Sequence, residues 1–283
     1  MLAVNKCRDR LARALFISLL ESVALDSDPT GRGAIVFSPH PDDECLACGG
    51  TILRKKRAGV SVKIVHMTDG QAAVHGNLMT RRELKERRRK EALNAATVLG
   101  VVESDTYFLD YEDGRLSEYS AVAAQRVSQI LELERPEEVF IPYAHEPVSL
   151  AADHVATTKI INAALLHIGR RVIVWEYPVW FWMHWPWVAV WQGGRPIVKT
   201  RAVVSNSFEA LFGARALADL RYSVDISDVL DLKRAALAQH RSQMEQIISD
   251  PRWLTLGQIA NGEFLALFYH QREFFRRSEF PLN

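Results

Sequence analysis

Short apolar runs alternate with helix-length stretches through the first two thirds of the chain, and this alternation restricts the fold more than any other feature. Gly33 to Ser38, Val60 to Met67, Tyr107 to Leu109, Glu138 to Tyr143 and Arg171 to Tyr177 read as strands. Between them, Leu46 to Ala58 and residues 79–99, 119–134 and 153–167 read as helices. Gly59 and Gly100 stand where the first two of these helices should stop. Strands joined by helices of this length form βαβ units and hence a parallel sheet. The runs are apolar throughout, as expected of strands covered on both faces. The class is therefore α/β. In such sheets ligands bind beyond the carboxyl ends of the strands. The polar clusters His40 to Glu44, Thr68 to Gly70, Asp110 to Asp113 and His145 to His154 all follow strands, so they should converge on one rim.

Outside this core the pattern differs. Residues 8–25 read as a helix and Asp26 to Gly33 as a polar loop, so residues 1–32 form an N-terminal helix and lead-in. Residues 33–178 form the core. Beyond it, segments 196–204 and 221–226 look like strands, and residues 226–249 and 262–277 like two long helices. Residues 179–283 are expected to pack on the core as an appended β/helical region.

Composition excludes several classes. The net charge of +1 offers no global attraction to nucleic acid, and no nucleic-acid partner is expected. Three cysteines in 283 residues do not make a disulfide framework and fit a reducing compartment. No run of about 20 apolar residues is present, so no segment is expected to span a membrane. Arg13 and Glu21 interrupt the N-terminal apolar stretch, which favours an amphipathic helix over a signal peptide. A cytoplasmic location is expected, with peripheral attachment to the inner membrane and homo-oligomerisation left open.

The densest cluster is HPDDE, His40 to Glu44, directly after the first core strand. Pro41 suits the first position of a helical turn. His40 and Asp43, three apart, can share one face of that turn. An imidazole nitrogen and a carboxylate oxygen are both zinc ligands, and a catalytic site takes a third protein ligand while keeping one position open. His154, opening a helix after the strand that ends at Tyr143, is the best candidate for it. Asp42 then points elsewhere, near the ion without binding it. Two other readings stand beside this one. Carboxylates at a helix start often only cap it. His40, Asp42 and His154 also spell the two-histidine, one-carboxylate pattern of non-haem iron oxygenases, though that pattern usually sits on an all-β barrel.

HPDDE, Gly49-Gly50, Thr68-Asp69-Gly70, Arg88 with Glu91, Leu99-Gly100, Asp113-Gly114 and Asp153-His154 occur in this order across residues 33–165. Together they resemble the LmbE/PIG-L family of zinc-dependent N-deacetylases. Lys233, Ala236 and then His240-Arg241-Ser242-Gln243 give a weaker likeness to the family's tail. The resemblance implies a Rossmann-like three-layer sandwich with a mostly parallel central sheet. It implies Zn2+, or another divalent ion, on His40, Asp43 and His154, and Asp42 as general base. It assigns Arg88 and Asp113 to substrate binding or to ordering the site. The implied substrate is an N-acetylated amino sugar or its conjugate, a lipid-linked one included, which would lose its acetyl group. One position departs: where the family usually has a histidine three residues before the zinc histidine, this chain has Ala151. His145, on the same strand-end loop, is the expected replacement as a catalytic residue. Without a replacement, the chain would be a catalytically weak or lapsed sugar-conjugate-binding protein.

Three further features are read more plainly. Cys45 and Cys48 should be a packed, buried pair. Arg81 to Lys90, with seven basic residues in ten, should be a solvated helix face, Arg88 excepted. Residues 174–191 hold six of the seven tryptophans, and Pro178 and Pro186 bar a regular helix there. An aromatic ledge at the substrate site is expected, with Trp182 and Trp185 against a sugar ring or lipid-carrier chain, and core packing and an oligomer contact are the other readings of the segment.

Overall fold

The apolar runs pair into one eight-stranded sheet. The computed structural model describes residues 2–73, 78–146, 151–183 and 213–281. Its strands are β1 (Leu25–Asp26), β2 (Ala34–Ser38), β3 (Val62–Thr68), β4 (Thr106–Tyr111), β5 (Glu138–Pro142), β6 (Val172–Tyr177), β7 (Tyr222–Asp225) and β8 (Arg272–Phe280). The order across the sheet is β1-β7-β8-β6-β5-β2-β3-β4. Every pairing is parallel except those of β8, which runs antiparallel to β6 and β7. The order reverses at β2, which lies between β3 and β5. That is the switch point where α/β sheets open a crevice.

The alternation of side chains along each strand feeds two cores. Ala34 and Val36 of β2 pack under α1 (Leu2–Val23), α2 (Asp43–Arg57) and α3 (Arg81–Val98). Ile35 and Phe37 pack under α4 (Ser120–Glu134) and α5 (Ala152–Ile168). The expected three-layer α/β sandwich is therefore present. Its helix ends are also chemically marked: a capping box joins Thr80 and Glu83 at the start of α3. Among the described residues, no helix is long and apolar enough to cross a membrane.

The C-terminal third differs from the sequence expectation. Residues 262–277 are not one helix. A 3-10 segment (Leu256–Gly262) leads into α6 (Glu263–Phe268), and the chain then enters β8. Phe274 and Phe275 are both buried, because this strand fills the gap between β6 and β7 and is covered on both faces. Tertiary pairing overrides the helical propensity of the charged residues around them. The expected helix over 226–249 is also broken. It forms α7 (Leu230–Leu237) and a single turn, Arg241–Met244, with His240 between them in non-helical geometry. The expected strand over 221–226 is β7, whereas segment 196–204 lies outside the described residues.

Gly50 lets the segment that follows β7 lie close against α2. A Cβ there would lie 2.4 Å from Ile226 Cγ2. Across this close contact the Glu273 carboxylate of β8 accepts hydrogen bonds from Gly50 N, Thr51 N and Thr51 Oγ1 and pairs with Lys233 Nζ at 2.8 Å. Thus α2, α7 and β8 meet on one buried carboxylate.

Candidate metal centre and active site

The predicted trio comes together at the carboxyl edge of the sheet. β2 ends at Ser38, the next residues turn, and α2 begins at Asp43. His40 N donates to Asp43 Oδ2 at 3.0 Å, and His40 Nδ1 lies 3.3 Å from the same oxygen. His154, in the first turn of α5, places Nε2 3.2 Å from it on the other side. Ligand atoms of His40, Asp43 and His154 all lie within 4.8 Å of one another. His154 is fully buried, yet neither of its ring nitrogens has a hydrogen-bond partner. Buried polar groups are normally satisfied, so an orphaned imidazole beside a carboxylate fits a divalent ion. Burial alone would raise the pKa of Asp43; the neighbouring His154 and His40 outweigh it and hold the carboxyl well below its ordinary range.

Two more carboxylates steady His40 from its far side. Its Nε2 lies 3.2 Å from Asp113 Oδ1 and 3.3 Å from Asp153 Oδ2. Against the opposing effect of burial, these acids push the imidazole pKa well above its usual value. Asp153 also accepts from Gly114 N at 2.6 Å and Leu116 N at 3.2 Å, which fixes the Asp113-Gly114 turn. Asp153 was not among the predicted site residues; its place directly before His154 was the signal for it.

Asp42 occupies the N-cap position of α2, but its side chain makes no capping hydrogen bond. The capping reading therefore fails for Asp42. Its Oδ2 instead lies 3.1 Å from Arg88 Nη2. Its backbone has φ 143°, a conformation that a residue with a side chain rarely adopts. Several bonds enforce it. Asp42 N donates to Glu44 Oε2 at 3.0 Å, and Arg88 donates to Pro41 O and Gly70 O. Glu44 is in turn held by His240 Nε2 at 2.9 Å. Burial raises the Asp42 pKa to about 7, against the opposing pull of Arg88. The same network accounts for the tail motif: His240 reaches Glu44, while Ser242 donates through both N and Oγ to Glu91.

Above these groups lies a cavity of about 370 Å3, with His40, Asp42, Asp43, Arg88 and Asp113 among its lining. Arg88 and Asp113 thus face the cavity. Trp182 does not. It is buried, edge-on to Phe16 and Phe181 at centroid distances of 6.4 and 5.8 Å. Trp180 lines the cavity instead, stacked on Phe264 at 5.2 Å. The two tryptophans share the 3-10 turn Trp180–Met183, where residues two apart point in different directions. Trp185 lies outside the described residues.

His145 is the second correction. It is exposed, edge-on to Tyr143, with Nδ1 3.3 Å from Arg215 Nη1, and it does not line the cavity. The turn after β5 sends Glu146 inward, where Oε1 accepts from Val179 N, and leaves its neighbour His145 outside. Replacing His145 by alanine should therefore change turnover by no more than about twofold, the range of an ordinary surface substitution; a steady-state assay of the variant checks this. Ala151 is buried at the N-cap of α5 and contributes no polar group. Cys45 and Cys48 are buried free thiols whose pKa burial pushes far up, in keeping with packing.

A mostly parallel α/β sheet with a His–Asp–His trio and a spare carboxylate at its strand ends defines an α/β protein with a candidate divalent-metal centre. Residues 35–165 match the family model described as "PIG-L: GlcNAc-PI de-N-acetylase", an LmbE-like deacetylase family domain. The chain is 28% identical over 249 residues to the "Probable N-acetyl-alpha-D-glucosaminyl L-malate deacetylase 2" of Bacillus cereus, covering 86% of this chain and 96% of that protein. It is 27% identical over 220 residues to the diacetylchitobiose deacetylase of Thermococcus kodakarensis, covering 76% and 71%. Among solved structures, the N,N'-diacetylchitobiose deacetylase from Pyrococcus horikoshii superposes with a TM-score of 0.61 at 25% identity, over 95% of this chain and 92% of that one. GalB, a 4-carboxy-2-hydroxymuconate hydratase from Pseudomonas putida, shares the fold at 16% identity and a TM-score of 0.57, over 89% and 97%. The fold alone therefore does not choose the reaction.

Proposed function

We propose that the protein is a divalent-metal-dependent hydrolase that removes the acetyl group from the amide nitrogen of an amino sugar or its conjugate. The observation that carries this reading is the His40–Asp43–His154 trio beside an Asp42 carboxylate released from helix capping. His40, Asp43 and His154 would hold the ion, Zn2+ by the chemistry of the donors. A divalent ion bound there supplies Lewis acidity to an amide carbonyl and makes water more acidic.

The chain's own residues do the rest. Asp42 takes the proton of the attacking water and returns it to the leaving amine nitrogen, so one carboxylate serves as base and then acid. Burial pushes its pKa up from the ordinary carboxylate range, the direction that favours a carboxyl able to hold and return a proton. Arg88 holds the carboxylate in place through the 3.1 Å contact and fixes the Pro41 and Gly70 carbonyls around it. Asp113 and Asp153 keep the His40 ring oriented from its Nε2 side. With Ala151 in place of a histidine and His145 turned away, the described residues offer no neutral imidazole at that corner of the cavity. Gln243 is among the polar side chains that line the cavity.

The test measures acetate release from N-acetylglucosamine conjugates together with metal content. Release that stops on chelation and returns with a divalent ion supports the proposal. A metal-loaded protein that binds the conjugates and releases no acetate points to the lapsed binding protein. Bound iron with oxygen uptake would mark an oxygenase.

A further inference from the structure

Glu146 takes no part in the proposed reaction, yet it is buried where two connections beside the cavity are tied together. It follows β5, in the connection that leads to α5 and His154. Its own N–H donates to Tyr143 O at 3.1 Å. Its side chain crosses to the end of the neighbouring strand β6. There Oε1 accepts from Val179 N at 2.5 Å, and the carboxyl group also accepts from the backbone N–H groups of Trp180 and Phe181. One side chain thus collects donors from three successive residues at the start of the 3-10 turn Trp180–Met183, where the turn itself offers them no acceptor. The turn's own bond, from Trp182 N to Val179 O, is long at 3.4 Å. Closer to the strands the two connections are already joined, by Tyr143 N on Tyr177 O at 2.8 Å and by Ala144 N on Glu176 Oε2 at 2.9 Å. Glu146 extends that joint into the turn.

What hangs on this tie is one wall of the cavity. Val179 and Trp180 line it together with His40, Asp42 and Asp43, whereas Glu146 does not reach it. We propose that Glu146 is a positioning residue for substrate binding: by gathering the N–H groups of Val179, Trp180 and Phe181, it holds the Val179–Trp180 wall where a bound substrate meets it. The inference rests on the deacetylase reading for the ligand, and it goes beyond that reading in giving a task to a residue outside the cavity. The carboxyl works as an acceptor rather than as a charge. Its Oε2 is buried without a hydrogen-bond partner, and burial pushes the pKa up to about 8, so the group is neutral at pH 7. An amide oxygen can take the same donors. A residue that merely filled space would affect stability and leave substrate affinity alone.

The experiment measures kcat and KM for acetate release from diacetylchitobiose, with metal content, in the metal-loaded parent and in Glu146→Ala, Glu146→Gln and Glu146→Asp. Removing the acceptor leaves buried backbone donors unsatisfied under the wall, and the turn gives way until they find water. Glu146→Ala should therefore raise KM about tenfold, with kcat and metal content within about twofold of the parent, the pattern of lost uniform binding. Glu146→Gln keeps the acceptor and should stay within about twofold of the parent in KM. Glu146→Asp draws the acceptor back by one methylene; its KM should fall between those of the parent and the alanine variant, and it carries the test if the alanine variant does not fold. A parent-like KM in the alanine and aspartate variants would overturn the inference, since the tie would then serve stability alone. So would an equal rise in the alanine and glutamine variants, which would deny the acceptor its role. Loss of metal in Glu146→Ala would overturn it too, by placing the effect at His154 rather than at the wall. No acetate from the parent would overturn the deacetylase reading instead, and dissociation constants for diacetylchitobiose, measured by calorimetry on the same proteins, would then decide the role of Glu146.

Discussion

Asp42→Asn should lower kcat for acetate release about a thousandfold, the middle of the range for a lost general base, with KM and metal content close to those of the parent. The substitution removes the proton-accepting charge and little else. An amide oxygen can still accept from Arg88 Nη2, which also keeps its bonds to Gly70 O and Pro41 O. The unusual backbone at φ 143° is enforced by Glu44 and Arg88 rather than by the Asp42 carboxylate. The turn should therefore persist, and so should the neighbouring His40–Asp43–His154 trio. Steady-state kinetics, thermal melting and elemental analysis of the same preparation check all three points. A variant that turns over as fast as the parent removes Asp42 from the chemistry. A variant that loses its metal as well shows instead that the carboxylate belongs to the ion site.

Where the sequence was informative, a local rule and the tertiary structure pointed the same way. The strands β2 to β6 and their helices were legible because their apolar runs are bounded by glycines and polar turns, and both faces are covered. The trio was legible because two of its members share one helical turn and the third opens a helix after the adjacent strand β5. Three features were not. β8 reads as helix from its charged residues, and only the gap between β6 and β7 makes Arg272 to Phe280 a strand. The side to which a tryptophan turns in a 3-10 segment is set by packing against Phe16 and Phe264, far away in sequence, so Trp180 and Trp182 could not be told apart. The direction of His145 depends on whether it or Glu146 turns inward, and spacing carries no information about that. The role of His240 was visible only as a likeness; its physical content, a buried bond to Glu44 behind Asp42, needs the break between α7 and the turn at Arg241.

Glu273→Ala should destabilise the fold by about 3–5 kcal/mol, because it strands a buried cation. Lys233 is 1% exposed, and its ammonium has Glu273 as its carboxylate partner at 2.8 Å. The same substitution takes the acceptor from Gly50 N, Thr51 N and Thr51 Oγ1. A melting temperature lower by roughly ten degrees is the expected reading for a chain of this size. The converse change is milder. In Lys233→Met the carboxylate keeps its three donors on α2 and loses only the ammonium. The double variant Glu273→Leu with Lys233→Met should recover most of the loss, since apolar replacement of a whole buried pair is often neutral. If the double variant is as unstable as Glu273→Ala alone, the three bonds to α2 outweigh the ion pair. If Glu273→Ala melts with the parent, the buried carboxylate holds nothing together. The position matters for function because α2 is the helix whose first turn carries Asp43. A carboxylate on a strand that local sequence reads as helix thus fixes, from the middle of α2, the element that presents Asp43 to the candidate metal centre.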